Sequence, residues 1–316
     1  MLFRSIKGTY IFYENGKEIL KSNNVITKFG KRFITNFIAG NTPSTSRDIA
    51  IGIDTTAATE NDTRLGFEFY RSPVILSSTD IQTSGASTTY SVIYKTTIPQ
   101  DISGQINEVG LYPSTRSSSN NYDSKFISDF NNNLDWITST GSNPTATTAP
   151  DSNSKVGDIL LKMSSSSTSA REYIANINPM DFSGYSVNDT IKLAYYKYDS
   201  NLSSIKIRFY SASNAYYEMT LTPASGTGYK ISSDIPLSTA FASATGSPSK
   251  SNINQIGIII TPTSGNTTEV GMDGFRINDE DTFDPLFGLI SRSVVTALTK
   301  LAGRQIDIEY RLDLTF

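Results

Sequence analysis

Neither histidine nor cysteine occurs anywhere in the 316 residues of this chain. Histidine is the side chain that trades a proton most readily near neutral pH, and it is the commonest metal ligand. Cysteine is the soft metal ligand and the reactive thiol. Without them there is no Cys/His zinc cage, no Ser-His-Asp triad, no Cys-His dyad and no thiol redox couple. Any enzyme chemistry would have to run on carboxylates, or on lysine and tyrosine. Charge is scarce too: Asp, Glu, Lys and Arg make up 18% of residues, with a net charge of −3. No basic block stands out, so nucleic acid is not an expected partner. No apolar run reaches the ~18 residues of a membrane-spanning helix. The first twenty residues lack the apolar stretch and small-residue cleavage site of a secretory signal.

Serine, threonine and asparagine fill the chain instead, together with 17 Tyr and 16 Phe. Disordered segments are poor in aromatics and rich in charge, so this composition belongs to a folded chain. Aromatic and β-branched residues favour strands, and Ser, Thr, Asn and Gly favour turns. A mainly β protein is expected, long enough for two domains.

Asn15-Gly16 between apolar runs predicts a hairpin of strands 5–14 and 17–26. Phe29, Phe33, Ile34, Phe37 and Ile38 then fall on one helical face, which predicts a helix over about 27–39, capped by Thr27 and closed by Gly40. Strands are expected at 48–53, 65–76, 87–98 and 106–111. From 114 to 170 the chain is loose and Ser/Asn-rich, around a short apolar segment at 156–163. Seven strand candidates follow, at 173–177, 190–198, 204–212, 215–222, 228–231, 253–261 and 269–277. Short strands at such spacing imply a sandwich. Residues 286–301 suit a helix or a strand at 291–299; the strand is preferred, with a turn at Leu301-Ala-Gly303. In the last strand Ile306, Ile308, Tyr310, Leu312 and Leu314 alternate with polar residues, giving one buried and one wet face.

Two stretches carry a family likeness. NNVITKFGKRFITNFIAG, DIAIGI, RLGFEFYRSPV and INEVGLY, with Leu65, Glu68 and Arg71 in Leu-x-x-Glu-x-x-Arg spacing and Glu108-Val-Gly-Leu-Tyr112 after them, resemble the start of tailed-phage tail and baseplate proteins. Arg292, Lys300 and Ile308–Phe316 resemble the end of such proteins. Between them, 176–199, 205–221, 253–262 and 268–279 resemble a jelly roll of the carbohydrate-binding-module type, with Asn131–Trp136 as its opening strand. Together these likenesses imply a discontinuous build: an outer β-rich domain with one N-terminal helix, at 1–116 plus 284–316, interrupted by an inserted jelly-roll-like β-sandwich at 117–283. The Ser/Asn-rich tip after Pro113 is the kind of exposed loop that accepts an insertion. A neutral, hydroxyl-rich, thiol-free chain without an export signal also suits a virion component, assembled in the host cytoplasm and exposed after lysis.

The resemblance implies a structural virion protein of the tail or baseplate. Its partners would be other virion proteins, copies of itself, and host-surface glycan held by the insert. A capsid decoration or head-fibre protein is the alternative, and a polysaccharide depolymerase a further one. Aromatic rings stack on sugars, so Trp136, Tyr196, Tyr198, Tyr210 and Tyr217 are the glycan-binding candidates; the plainer reading is that such rings form the core and rim of the sandwich, with Trp136 as a packing anchor of its first strand. Asp273, with the run Asn278-Asp-Glu-Asp281, is the candidate for a structural calcium of the kind such jelly rolls carry, against the plainer reading of a solvated turn. No other cofactor and no catalytic residue is expected. A depolymerase would draw on Glu172, Glu218, Asp199 and Asp234, two of which would have to flank one cleft.

Overall fold

The computed structural model describes residues 5–39, 47–113, 125–138, 141–165, 169–185, 189–278 and 288–316. In chain order the elements are β1 (Ser5–Glu14), β2 (Lys17–Asn23), β3 (Val25–Ile26), α1 (Lys28–Ile38), β4 (Arg47–Gly52), β5 (Glu68–Pro73), β6 (Ile75–Ser84), β7 (Ser87–Ile98) and β8 (Gly104–Pro113). There follow β9 (Lys125–Ser128), β10 (Trp136–Thr138), β11 (Thr145–Ala146), β12 (Leu161–Ser165), β13 (Arg171–Met180), β14 (Thr190–Lys197), β15 (Leu202–Ala212), β16 (Ala215–Leu221), β17 (Gly228–Ile231) and β18 (Ile235–Pro236). A one-turn α2 (Leu237–Ala240), β19 (Ser243–Thr245), β20 (Ile253–Pro262), β21 (Thr268–Asn278), β22 (Ser291–Lys300) and β23 (Ile306–Thr315) complete the chain. The protein is mainly β, and among the described residues no helix is long and apolar enough to cross a membrane. It divides into two compact units, 1–119 with 282–316, and 120–281. The junctions expected at 116/117 and 283/284 lie outside the described residues, as do the helix-closing Gly40 and Asp279-Glu-Asp281.

The discontinuous unit is a pair of antiparallel five-stranded sheets, ordered β2-β1-β23-β7-β6 and β3-β22-β8-β4-β5. Asn15 and Gly16 both take positive φ, which lets a two-residue turn match the twist of β1 and β2. The second arm of that hairpin breaks at Asn24, and Val25 and Ile26 pair with β22 in the other sheet. Thr27 caps α1 by accepting the Gly30 amide at 3.0 Å. The 291–299 segment is a strand, because β8 pairs with it from Leu111↔Ser291 to Gly104↔Lys300. Tyr10 and Tyr310 are cross-strand neighbours in the first sheet, ring centroids 4.9 Å apart, and the sheets meet through a hydrogen bond of 2.8 Å shared by the Tyr10 and Ser291 hydroxyls.

A buried ion pair holds the second sheet and the loop over it. Glu108 on β8 is fully buried and accepts the amides of Asp54, Gly66 and Phe67 at 3.2, 2.9 and 2.8 Å. Arg292 on β22 donates Nε to the same carboxylate at 2.9 Å and reaches Asp62 and Asp54 at 2.9 and 3.2 Å. Gly52 is side-chain-free because a Cβ there would collide with Glu108 Oε1 and Phe67 O, and Gly110 because Leu289 and Leu65 occupy the space. Glu68 and Arg71 form a two-point ion pair at 2.7 and 2.9 Å, with the guanidinium 3.9 Å from the Tyr112 ring centroid. Lys300 donates Nζ to Ile102 O. The residues that carry the tail-protein likeness are thus internal struts of this unit.

The other unit is a sandwich with a jelly-roll-like layout, of a six-stranded sheet β10-β13-β20-β15-β16-β19 and a second sheet running β11-β12-β21-β14-β17. All seven predicted strands of this stretch form, with edges within a few residues. Ile205, Ile207 and Phe209 on β15 and Ile256, Ile258 and Ile260 on β20 alternate into a core shared with Leu193, Met272 and Phe275 of the opposing sheet. The loose stretch contributes more than expected: Phe130, Val156, Leu160 and Leu161 are buried.

Removing the charge from Glu108 leaves Arg292 buried against a group that repels one of its donors. Glu108→Gln should destabilise this unit by about 3–5 kcal/mol, the usual cost of breaking a buried pair. Urea denaturation followed by near-ultraviolet circular dichroism checks it; a loss under about 1 kcal/mol would mean that the pair is dispensable.

Candidate functional site

The five aromatic candidates do not assemble. Trp136 is buried, its ring stacked on Phe130 at 5.1 Å, and it presents no face to a ligand. Tyr217 pairs with inward-facing Phe209, lies edge-on to Phe241 at 4.9 Å and donates its hydroxyl to Pro248 O at 2.9 Å. Both act as packing residues, because strand alternation turns them toward the sandwich interior. Tyr196 and Tyr198 share the outer face of the β14-containing sheet as an edge-to-face pair at 4.9 Å, with Lys162 Nζ 4.7 Å from the Tyr198 ring centroid. Tyr210 lies on the outer face of the other sheet but is itself buried, 4% exposed. Tyr196 and Tyr210 therefore cannot contact one ligand ring together.

On that six-stranded sheet, the outward positions of β13, β15 and β16 form a connected polar array. Arg208 Nε donates to Glu218 at 2.7 Å and Nη1 to Glu172 at 2.9 Å. Lys206 donates to the other oxygen of Glu218 at 2.8 Å, and Tyr210 donates its hydroxyl to Glu172 at 2.6 Å. The Arg208 guanidinium sits 4.4 Å from the centroid of Tyr216, whose ring is 5.0 Å from that of Tyr210. Gln255 and Asn176 extend the array with a hydrogen bond of 2.8 Å. At its centre Gly257 leaves room for the Glu172 carboxylate and the Tyr210 ring. Cross-strand registry creates this grouping: Arg208 lies opposite both Gly257 and Glu218, and Tyr210 opposite Gln255 and Tyr216.

Electrostatically the array is closed on itself, with two cations, Lys206 and Arg208, against two carboxylates, Glu172 and Glu218. Burial pulls Glu218 upward, but the hydrogen bonds from Lys206 and Arg208 hold it net below its ordinary value. Burial and the bond to Glu172 push the Tyr210 hydroxyl up to about 12. A glycosidic general acid needs a carboxyl held protonated, the opposite of Glu218. The other two carboxylates lie apart from this array: Asp199 accepts the amides of Asn201 and Glu269 at 2.7 and 2.8 Å, and Asp234 pairs with Lys192 at 3.2 Å. Sequence reasoning named Glu172 and Glu218 only as catalytic candidates. It missed Arg208, although the alternation Lys206-x-Arg208-x-Tyr210 on a predicted strand already places those three on one face, and of the neighbours Tyr216 and Tyr217 it chose the inward one.

Asp273 is wholly buried on β21 and saturated by donors. Ser154 Oγ donates to Oδ1 at 2.8 Å, the amides of Lys155 and Val156 to Oδ2 at 3.0 Å each, and the Tyr229 hydroxyl to Oδ2. A cation would have to displace these donors. Asn278 is turned to Arg276 and Thr190. Among the described residues, no three acidic side chains converge as a metal site would require. Burial pushes the Asp273 pKa up to about 7. Because the unfolded chain releases this proton near pH 4, the folded state holds more protons between pH 4 and 7, and stability falls as pH rises through that window. The slope from this group is at most ~1.4 kcal/mol per pH unit. Thermal melts at a series of pH values should show the stability difference between wild type and Asp273→Asn narrowing from pH 4 to 7; a constant difference would mean that Asp273 stays ionised throughout.

No family model matches the chain, and no curated protein matches it. Among solved structures, the family 11 carbohydrate-binding module from Clostridium thermocellum in complex with a β-1,3-1,4-mixed-linked tetrasaccharide is 17% identical over 49% of this chain and 95% of that one, with a TM-score of 0.36. The family 30 carbohydrate-binding module of the cellulosomal cellulase Cel9D-Cel44B of the same organism is 14% identical over 46% and 92%, with a TM-score of 0.33. The agarase AgWH50C is 13% identical over 50% of this chain, with a TM-score of 0.34; the chain spans 25% of the agarase's length.

Proposed function

We propose that this chain is a structural protein of a tailed-phage virion, in the tail or baseplate, whose sandwich unit binds a neutral glycan on the outer face of its six-stranded sheet. The observation that carries the glycan reading is the Lys206–Glu218–Arg208–Glu172–Tyr210 array beside the half-buried Tyr216 ring. Vicinal sugar hydroxyls need planar, fixed donors and acceptors, and the apolar face of a pyranose needs a ring. Mutual hydrogen bonding fixes these side chains before a ligand arrives, so little rotamer entropy is lost on binding. Arg208 Nη2 and the remaining carboxylate lone pairs stay available to hydroxyls. Internal neutralisation favours an uncharged sugar over an anionic one.

The virion part of the reading is supported by the terminal likenesses to tail and baseplate proteins, all of which map to the discontinuous unit. That unit would dock to other virion proteins and to copies of itself, after assembly in the host cytoplasm. The mechanism is association without covalent chemistry, and it invokes no cofactor.

On an array of bacterial surface glycans, Arg208→Ala and Tyr216→Ala should each weaken binding at least about tenfold, a loss of ~1.4 kcal/mol. Tyr196→Ala with Tyr198→Ala should leave it intact. Loss confined to the Tyr196/Tyr198 variant would move the site to the opposite sheet, and no binding by the wild type would overturn the glycan reading. Release of reducing ends by wild type but not by Glu218→Gln would overturn the non-catalytic reading. Cryo-electron microscopy of the particle tests location: density at the tail end supports it, and density on the capsid lattice or none overturns it.

A further inference from the structure

We propose that the outer edge of β6 joins two copies of this chain, antiparallel and edge to edge, about a two-fold axis passing at Ile81. The proposal rests on the reading of the discontinuous unit as the docking unit. β6 ends its five-stranded sheet, and among the described residues no strand pairs with its outer edge. Nine of its ten residues are exposed, all but Asp80. Proteins blunt such an edge with lysine, proline, a short strand or a cover, because its free amides and carbonyls template pairing with another chain. This edge has ten residues, contains neither lysine nor proline, and carries one charge, Asp80, which Arg311 faces at 3.8 Å; its one bulge, another such device, lies between Leu76 and Ser78 and leaves the run 78–84 in regular register.

The face beside that edge is apolar. Ile81 lies opposite Tyr90, and Tyr90 opposite Leu314; Leu76 lies opposite Tyr94, and Tyr94 opposite Tyr310. Tyr310 is buried against the second sheet, but the same face runs on to Ile81, Leu76 and Tyr90, which are 65%, 60% and 39% exposed. The apolar row therefore reaches the free edge.

A second copy is the occupant this edge fits. Symmetric antiparallel pairing must centre on one residue, so that equivalent faces stay on the same side of the joined sheet. Centred on Ile81, it sets Ile81 against Ile81, Asp80 against Gln82, Thr79 against Thr83 and Ser78 against Ser84. The single charge then meets an amide, a group it already accepts from within its own strand at 2.9 Å. Centring on Asp80 would oppose two carboxylates, which is destabilising. The pairing carries the apolar row of one copy onto that of the other.

Sedimentation of the full chain across the micromolar range should show a species of twice 34.5 kDa. Ile81→Lys should raise its dissociation constant at least about tenfold, with unchanged circular dichroism because the side chain is exposed. The native chain has no cysteine. Ile81→Cys should therefore form a disulfide-linked dimer under mild oxidation, whereas Ile75→Cys, on the other face and off the axis, should not. A wild type monomeric throughout, or equal cross-linking by both cysteine variants, would overturn the contact. A monomer still found in particles removes this contact and leaves the docking role standing; a cross-linked dimer from a chain absent from particles does the reverse.

Discussion

The discontinuous unit depends on the Arg292–Glu108 pair. A carboxylate with no exposed surface is tolerable only when its charge and lone pairs are all met, and here three backbone amides and a guanidinium meet them. The amides come from the 53–67 segment, so the pair also determines where that segment lies over the sheet. The two charges lie 184 positions apart in the chain. β8 leaves this unit and β22 re-enters it as neighbouring strands, with Ile290 N donating to Leu111 O at 2.8 Å. The unit can therefore close around a long excursion of chain without losing its own connectivity.

The sandwich unit uses carboxylates in two physically different ways. Asp273 is buried among four donors, and its work is to hold the 154–156 turn and Tyr229 against β21. Glu172 and Glu218 are about one-fifth exposed, are bonded to one another's partner Arg208, and keep unused lone pairs. The first arrangement is complete without a ligand. The second is rigid but unsaturated, which is what recognition of a polyhydroxylated surface asks of a protein. The same contrast separates the aromatic residues: Trp136 fills the core, whereas Tyr216 stays half-buried beside a cation.

Much of the fold was legible because most strands here have one wet and one dry face. Strict alternation marked β23, and shorter alternating or apolar runs marked β13 to β17, β20 and β21. Asn15-Gly16 marked the first hairpin, and Thr27 with the spacing of Phe29 and Phe33 marked the helix. β6 escaped because Ile75–Ser84 has no dry face, and without burial there is no period to read. The role of Phe130 in the core was likewise obscured by the polar residues around it.

Local chemistry alone thus determined a β-rich chain, the positions of its turns, and which face of each alternating strand is apolar. Pairing between sequence-distant strands decided the rest. It set Arg208 between Glu172 and Glu218 and sent Tyr196 and Tyr210 to different sheets. Local periodicity fixes which way a side chain points from its strand. Which other side chains it meets depends on the register of neighbours tens or hundreds of residues away, and that register is a property of the packed structure alone.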